Sequence, residues 1–69
     1  MRYNLNKEQF RQWQQYALEI EDKLYEDKAG FMNEYEDDNS FSVHFYDCTV
    51  SQEVLDFFEK TLDLLPTGE

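Results

Sequence analysis

The 69-residue chain has one cysteine, one histidine, one proline and two glycines, and most of these scarcities remove a class of chemistry. Cys48 alone forms no intrachain disulfide and no cysteine-based zinc knuckle, and a single thiol fits a reducing cytoplasm better than a secreted scaffold. Gly30 and Gly68 are too few for a phosphate-cradling loop, and neither precedes a Lys-Ser/Thr pair, so nucleotide binding is not expected. A serine or cysteine triad would have to use His44 with Cys48 or a nearby serine. On a strand, His44 and Cys48 share a face but stand far apart, so the first reads as a surface or cross-strand histidine and the second as a small packing residue.

Long apolar runs are missing too. The longest is Tyr16 to Leu18, and the N-terminus turns polar at Arg2, so neither a signal peptide nor a membrane span is expected and the cytoplasm is the expected location. Cations are scarce: six Lys and Arg face sixteen Asp and Glu, a formal net charge of −10. Contacts to phosphate need cations, so direct nucleic-acid binding has the wrong sign of potential. Abundant carboxylates supply the residue types of acid–base hydrolysis, but a chain this short hardly forms a cleft that gives two of them contrasting environments. The series Glu34, Glu36, Asp38, Ser40 has the alternate spacing of a calcium loop, yet Asn39 stands where the turn glycine is needed and Phe45 where the closing glutamate belongs. The expectation is a non-enzyme with no catalytic residue, metal or cofactor.

What the chain does have is aromatic bulk: six Phe, five Tyr and one Trp. A domain of this length buries only ~60% of the surface its unfolded chain exposes. Large rings are therefore the means of offsetting chain entropy, against a self-repulsion that added salt should relieve. One domain over residues 1–69 is expected, and a homodimer sharing aromatic surface is an open alternative to a monomer.

The spacing predicts an α+β fold in the order α-β-β-α, two helices packed on one face of a short antiparallel hairpin. Leu5 and Phe10 are placed as a hydrophobic staple around an Asn6 cap, with Gln9 completing a capping box. Phe10, Trp13, Ala17, Ile20 and Leu24 then recur on one helical stripe, giving a helix over 7–28 that stops at Ala29-Gly30. Phe41, Val43 and Phe45 alternate with polar residues as a half-buried strand. A weaker alternation at Phe31, Asn33 and Tyr35, followed by turn-forming residues 36–39, makes a hairpin, with a helical reading of 31–37 left open. A second helix starts near Thr49 or Ser51, carries Val54, Leu55, Phe58, Leu62 and Leu65 inward with Phe57 at the border, and ends at Pro66. Tyr16, Tyr25, Tyr35 and Tyr46 lie off these stripes and are of the kind that anchors protein interfaces.

The charge is uneven. Residues 1–18 are formally +2, residues 19–47 hold ten acids against Lys23 and Lys28, and residues 48–69 are formally −4. Glu19, Asp22 and Glu26 fall at three- and four-residue steps, where each like-charge pair costs roughly 0.2–0.5 kcal/mol in a helix. A merely solubilising surface would intersperse lysines, so the row points to negative potential as a property in its own right.

In size, acidity and lack of catalytic groups the chain resembles the small inhibitors made by bacteriophages and mobile elements, including anti-CRISPR and anti-restriction proteins, some of them DNA mimics. The resemblance is one of type and carries no functional residue over. It implies an inhibitor that occupies a basic nucleic-acid-binding surface of a partner protein, in the host cytoplasm if phage-encoded. The partner-binding residues would be Glu19, Asp22, Glu26, Asp27, Glu34, Glu36, Asp37 and Asp38, replacing phosphates opposite Lys and Arg. The alternative is a small adaptor, antitoxin or immunity-like protein held by aromatic and apolar anchors, its acidity serving solubility.

Overall fold

A computed structural model describes residues 1–26, 30–46 and 50–67. The elements are β1 (Arg2–Leu5), α1 (Lys7–Glu19), α2 (Glu21–Glu26), β2 (Phe31–Asp37), β3 (Ser40–Phe45) and α3 (Gln52–Asp56), the last continuing directly into a π-helical turn, Phe57–Thr61. The α+β arrangement of a helix, a hairpin and a short helix is as expected, with one strand more. The three strands form an antiparallel sheet in the order β1-β3-β2.

The extra strand, β1, comes from a segment too polar to signal itself. Tyr3 and Leu5 are buried while Asn4 between them is exposed, a period-two pattern only four residues long. It pairs with β3 in the register Tyr3↔Val43 and Leu5↔Phe41, which makes β3 the central strand. The outer edge of β1 is covered by the returning tail: Thr67 donates from its backbone N to Arg2 O at 2.7 Å, and from Oγ1 to the same oxygen at 3.1 Å.

The expected start of α1 is present in full. Asn6 Oδ1 accepts from Gln9 N and Gln9 Oε1 accepts from Asn6 N, both at 2.8 Å, and Leu5 and Phe10 are both buried. Gln9 Nε2 also donates to Leu62 O at 3.0 Å, tying this end of α1 to the end of the C-terminal helix.

A single helix over 7–28 is not what forms. The chain breaks at Ile20 (φ −111°, ψ 22°) and restarts as α2 at Glu21. The break has opposite consequences for the charges on its two sides. Glu19 stands in the last turn of α1, which has no basic residue, against the negative end of the helix dipole. Restarting at Glu21 moves Glu21 and Asp22 into a first turn, where carboxylates are favoured. The apolar stripe survives the bend: Phe10, Trp13 and Leu24 are buried and Ala17 and Ile20 pack against them.

Residues 31–37 are strand, not helix, and the hairpin loop is shorter than residues 36–39 suggested. Only Asp38 and Asn39 separate β2 from β3, with Asn39 N donating to Asp37 Oδ1 at 2.8 Å and a bulge between Tyr35 and Asp37. In the C-terminal helix Ser51 holds the N-cap position without a side-chain hydrogen bond, and Thr49 lies outside the described residues. The helix ends at Leu62, not at Pro66. Asp63 takes the left-handed conformation (φ 56°), and Leu64 N donates back to Phe58 O at 2.8 Å. That reversal turns Leu64 inward and leaves Leu65, expected in the core, 73% exposed.

The core lies between one face of the sheet and the helices and is chiefly aromatic. Tyr3 stacks on Phe58 at 3.9 Å, Phe10 on Phe41 at 4.5 Å and Tyr16 on Phe57 at 3.9 Å between centroids. Trp13 is wholly buried, within 5.1 to 5.9 Å of the rings of Phe58, Phe31 and Phe45, and its Nε1 donates to Asn33 Oδ1 at 3.1 Å. Both helical units pack on this face, as the sequence suggested.

Trp13→Ala should cost about 3–5 kcal/mol in urea unfolding, a large part of the stability of so short a chain. Trp13→Phe, which keeps a ring but leaves Asn33 Oδ1 without its donor, should cost about 1–3 kcal/mol. Leu65→Ala should stay within about 0.5 kcal/mol of the parent, and a loss as large as that of Trp13→Phe would contradict this account of the C-terminal turn.

Candidate partner-binding surface

The acids named above fall in two groups around β2. Glu19 lies at the end of α1 and Asp22 and Glu26 on α2, all exposed, so the row expected on one helix straddles the break at Ile20. Asp27 lies outside the described residues. Glu36, Asp37 and Asp38 are exposed at the far end of β2 and in the hairpin loop. Antiparallel packing separates the groups: Phe10, early in α1, meets Tyr35 and Phe41 near the loop, whereas Trp13, a turn later, meets Phe31 at the start of β2. A strand of this length spans ~20 Å. The two acidic groups therefore lie toward opposite ends of β2, in a molecule whose longest dimension is 31 Å.

Glu34 is placed differently from the rest. It is half-buried on the sheet face away from the helices, and its Oε1 lies 3.4 Å from Arg2 Nη2. Ser42 stands between Asn4 and Glu34 in the register and is almost fully buried beneath this cross-sheet pair. Two other ion pairs, Lys23–Glu53 at 3.7 Å and Lys60–Asp56 at 3.9 Å, draw on acids outside the expected set. Glu19, Asp22, Glu26, Glu36, Asp37 and Asp38 have no ion-pair partner among the described residues. Their carboxylates are exposed to solvent, with Lys7 lining the same cleft as Glu36, Asp37 and Asp38.

Between the groups is an apolar groove of about 480 Å³. Trp13, Ala17, Leu24 and Phe31 line it, with Leu18 and Tyr25 at its helical side and Glu21 beside them. Leu18 is 73% and Tyr25 86% exposed. Leu18 and Met32 were not read as surface anchors from sequence. The available signal was an apolar residue standing off the helical stripe in one case and on the outward parity of β2 in the other. Of the tyrosines singled out, Tyr25, Tyr35 and Tyr46 are exposed, while Tyr16 is stacked on Phe57.

His44 lies on the open sheet face between Arg2 and Met32 in the register, with its ring 4.9 Å from that of Tyr46, and Cys48 is outside the described residues. Among the described residues no three His, Cys, Asp or Glu side chains are grouped to hold a metal ion, and no helix is long and apolar enough to cross a membrane.

The negative field reaches two tyrosines. Burial pushes the Tyr16 hydroxyl above its ordinary pKa of 10.0, helped by the charges of Glu53 and Glu19 and a hydrogen bond with Glu53. Burial likewise raises Tyr3, with Glu59 adding to the effect. No known family, curated protein or solved structure matches the chain.

Because both hydroxyls hold their protons more tightly in the folded chain, the native state binds more protons than the unfolded one once pH exceeds 10.0. The urea midpoint should be insensitive to these groups below about pH 10 and fall as pH rises through their raised pKa values. The double variant Tyr3→Phe, Tyr16→Phe should show a smaller alkaline fall, and an unchanged fall would contradict the assignment.

Proposed function

We propose that this chain is a non-catalytic inhibitor that occupies the basic nucleic-acid-binding surface of a partner protein, a DNA mimic of the anti-CRISPR or anti-restriction type. The observation that carries the reading is the set of six exposed carboxylates, Glu19, Asp22, Glu26, Glu36, Asp37 and Asp38, with no ion-pair partner among the described residues. The scale supports it. The longest dimension is 31 Å, and at one phosphate per ~1.7 Å of axis a duplex of that length carries about eighteen charges. The chain has sixteen carboxylates on a comparable length. A partner's Lys and Arg side chains would exchange phosphate for carboxylate, with association fast at low ionic strength and weakening with salt.

A second reading is favoured by the exposed Leu18 and Tyr25: an adaptor, antitoxin or immunity-like protein held by apolar anchors, its acids acting mainly on the rate of association.

The two readings separate in one experiment. Tagged protein is used to capture partners from nuclease-treated bacterial lysate, beside a variant with all six free carboxylates amidated (E19Q, D22N, E26Q, E36Q, D37N, D38N). Glu34 is left intact because it pairs with Arg2. The inhibitor reading predicts a nucleic-acid-binding protein that elutes with salt, is displaced by duplex DNA and binds the variant at least about 100-fold more weakly. A partner held equally by both forms and indifferent to DNA would replace it with the adaptor reading.

A further inference from the structure

The two edges of the sheet are not equivalent. Thr67 covers the outer side of β1, whereas no strand lies beyond β2 among the described residues. Tyr46 N donates to Gly30 O at 2.9 Å, so Gly30 bonds inward, toward β3. By the alternation of an antiparallel ladder Met32 and Glu34 also bond inward, and the backbone groups of Phe31, Asn33 and Tyr35 point outward. An exposed edge of this kind is usually blunted by a bulge, a proline or charge. Here the bulge comes only after Tyr35, leaving residues 31–35 regular. Charge is likewise concentrated past that point, at Glu36, Asp37 and Asp38.

The surroundings of this stretch are apolar on one side and acidic on the other. Four of the six large apolar side chains that are strongly exposed (Leu18, Tyr25, Met32 and Tyr35) border the edge, and the groove opens beside Phe31 and Asn33. A strand laid ~4.8 Å from β2 would put alternate side chains over the groove, beside Leu18, Tyr25 and Phe31, and the intervening ones on the open face beside Met32 and Glu34. Glu36 and Asp37 at one end, and Glu21 with Asp22 at the other, set a negative potential along its whole length.

We propose that the free edge of β2, together with the groove between it and α1–α2, docks an extended segment of the partner protein in which apolar residues alternate with lysine or arginine. This inference deepens the inhibitor reading and rests on it for the partner's positive charge. A second copy of the chain is the less suited occupant, because each copy carries a formal charge of −10. The added strand takes its affinity from backbone hydrogen bonds to Phe31, Asn33 and Tyr35, and its specificity from apolar side chains entering the groove.

The test uses the full chain and a labelled, capped decapeptide alternating valine and lysine, followed by fluorescence anisotropy. A block peptide of five valines and five lysines is the composition control. The alternating peptide should bind at least about tenfold more tightly than the block peptide, and methylating one alternate set of its backbone nitrogens should weaken it about tenfold while methylating the other set does not. Leu18→Ser with Tyr25→Ser should weaken it by a similar factor, whereas Leu65→Ser, as exposed as Leu18 but away from the groove, should not. Equal binding of alternating and block peptides would overturn strand docking and leave the charge-based reading standing. Tight, alternation-dependent binding that survives amidation of Glu36, Asp37 and Asp38 would keep strand docking at this edge but overturn the lysine or arginine of its occupant, together with the charge-based reading. Sedimentation of the free protein as a dimer that Leu18→Ser with Tyr25→Ser dissociates would assign the edge to a second copy and overturn the proposal.

Discussion

Trp13 donates from its indole nitrogen to the Asn33 side chain across the middle of the molecule, and most of the architecture is organised around that contact. The ring is wholly buried among Phe31, Phe45 and Phe58, so one side chain joins α1, both strands of the hairpin and the C-terminal helix. An indole N–H placed there without an acceptor would carry an uncompensated desolvation cost, and Asn33 removes it. Because Asn33 sits on β2, the same bond fixes the distance between the helices and the edge strand. That distance sets the width of the groove.

The charge follows from how little interior there is. With ten buried hydrophobic residues forming the core among those described, every carboxylate has to lie outside or meet a cation, and cations are few. Among the described residues, three ion pairs use Glu34, Glu53 and Asp56. Exposed pairs of this kind contribute little to stability. Of the other acids, Glu36, Asp37 and Asp38 project from the hairpin end of β2, and Glu19, Glu21, Asp22 and Glu26 lie around and beyond the helix break. Their mutual repulsion is opposed chiefly by the aromatic packing of the core, and the restart at Glu21 places Glu21 and Asp22 where the helix dipole favours carboxylates.

Elements with strong local signals were legible in the sequence. The capping box at Asn6 and Gln9 and the strand at Phe41, Val43 and Phe45 depend on near neighbours and form as read, and the stripe from Phe10 to Leu24 faces the core as read although two helices carry it in place of one. Features that depend on distant partners were not legible. β1 exists because β3 offers it a ladder and Phe58 a ring for Tyr3, and an alternation only four residues long is too short to signal a strand by itself. The apolar stripe runs on through the break at Ile20, so the apolar period conceals it. Leu65 fits the helical phase, but the π-helical turn and the left-handed Asp63 change that phase before the chain reaches it. For the candidate surface, the sequence identified the acids and three of the exposed tyrosines. The pairing of Glu34 with Arg2, and the part of Leu18 and Met32 in the apolar border of β2, required the sheet order.

The negative charge of the six proposed partner-binding carboxylates acts outward and adds little to holding the chain together, although Asp37 Oδ1 accepts from Asn39 N in the hairpin loop. The direct measurement is urea unfolding at low ionic strength of the parent against the variant in which Glu19, Asp22, Glu26, Glu36, Asp37 and Asp38 are all amidated. The Asp37→Asn change retains an Oδ1 acceptor for the Asn39 amide, so the hairpin loop keeps its hydrogen bond. Removing like-charge contacts worth roughly 0.2–0.5 kcal/mol each should leave the variant as stable as the parent or more so, with a weaker dependence on salt. A variant less stable than the parent by more than about 1 kcal/mol would place these carboxylates in the service of the fold and contradict the account.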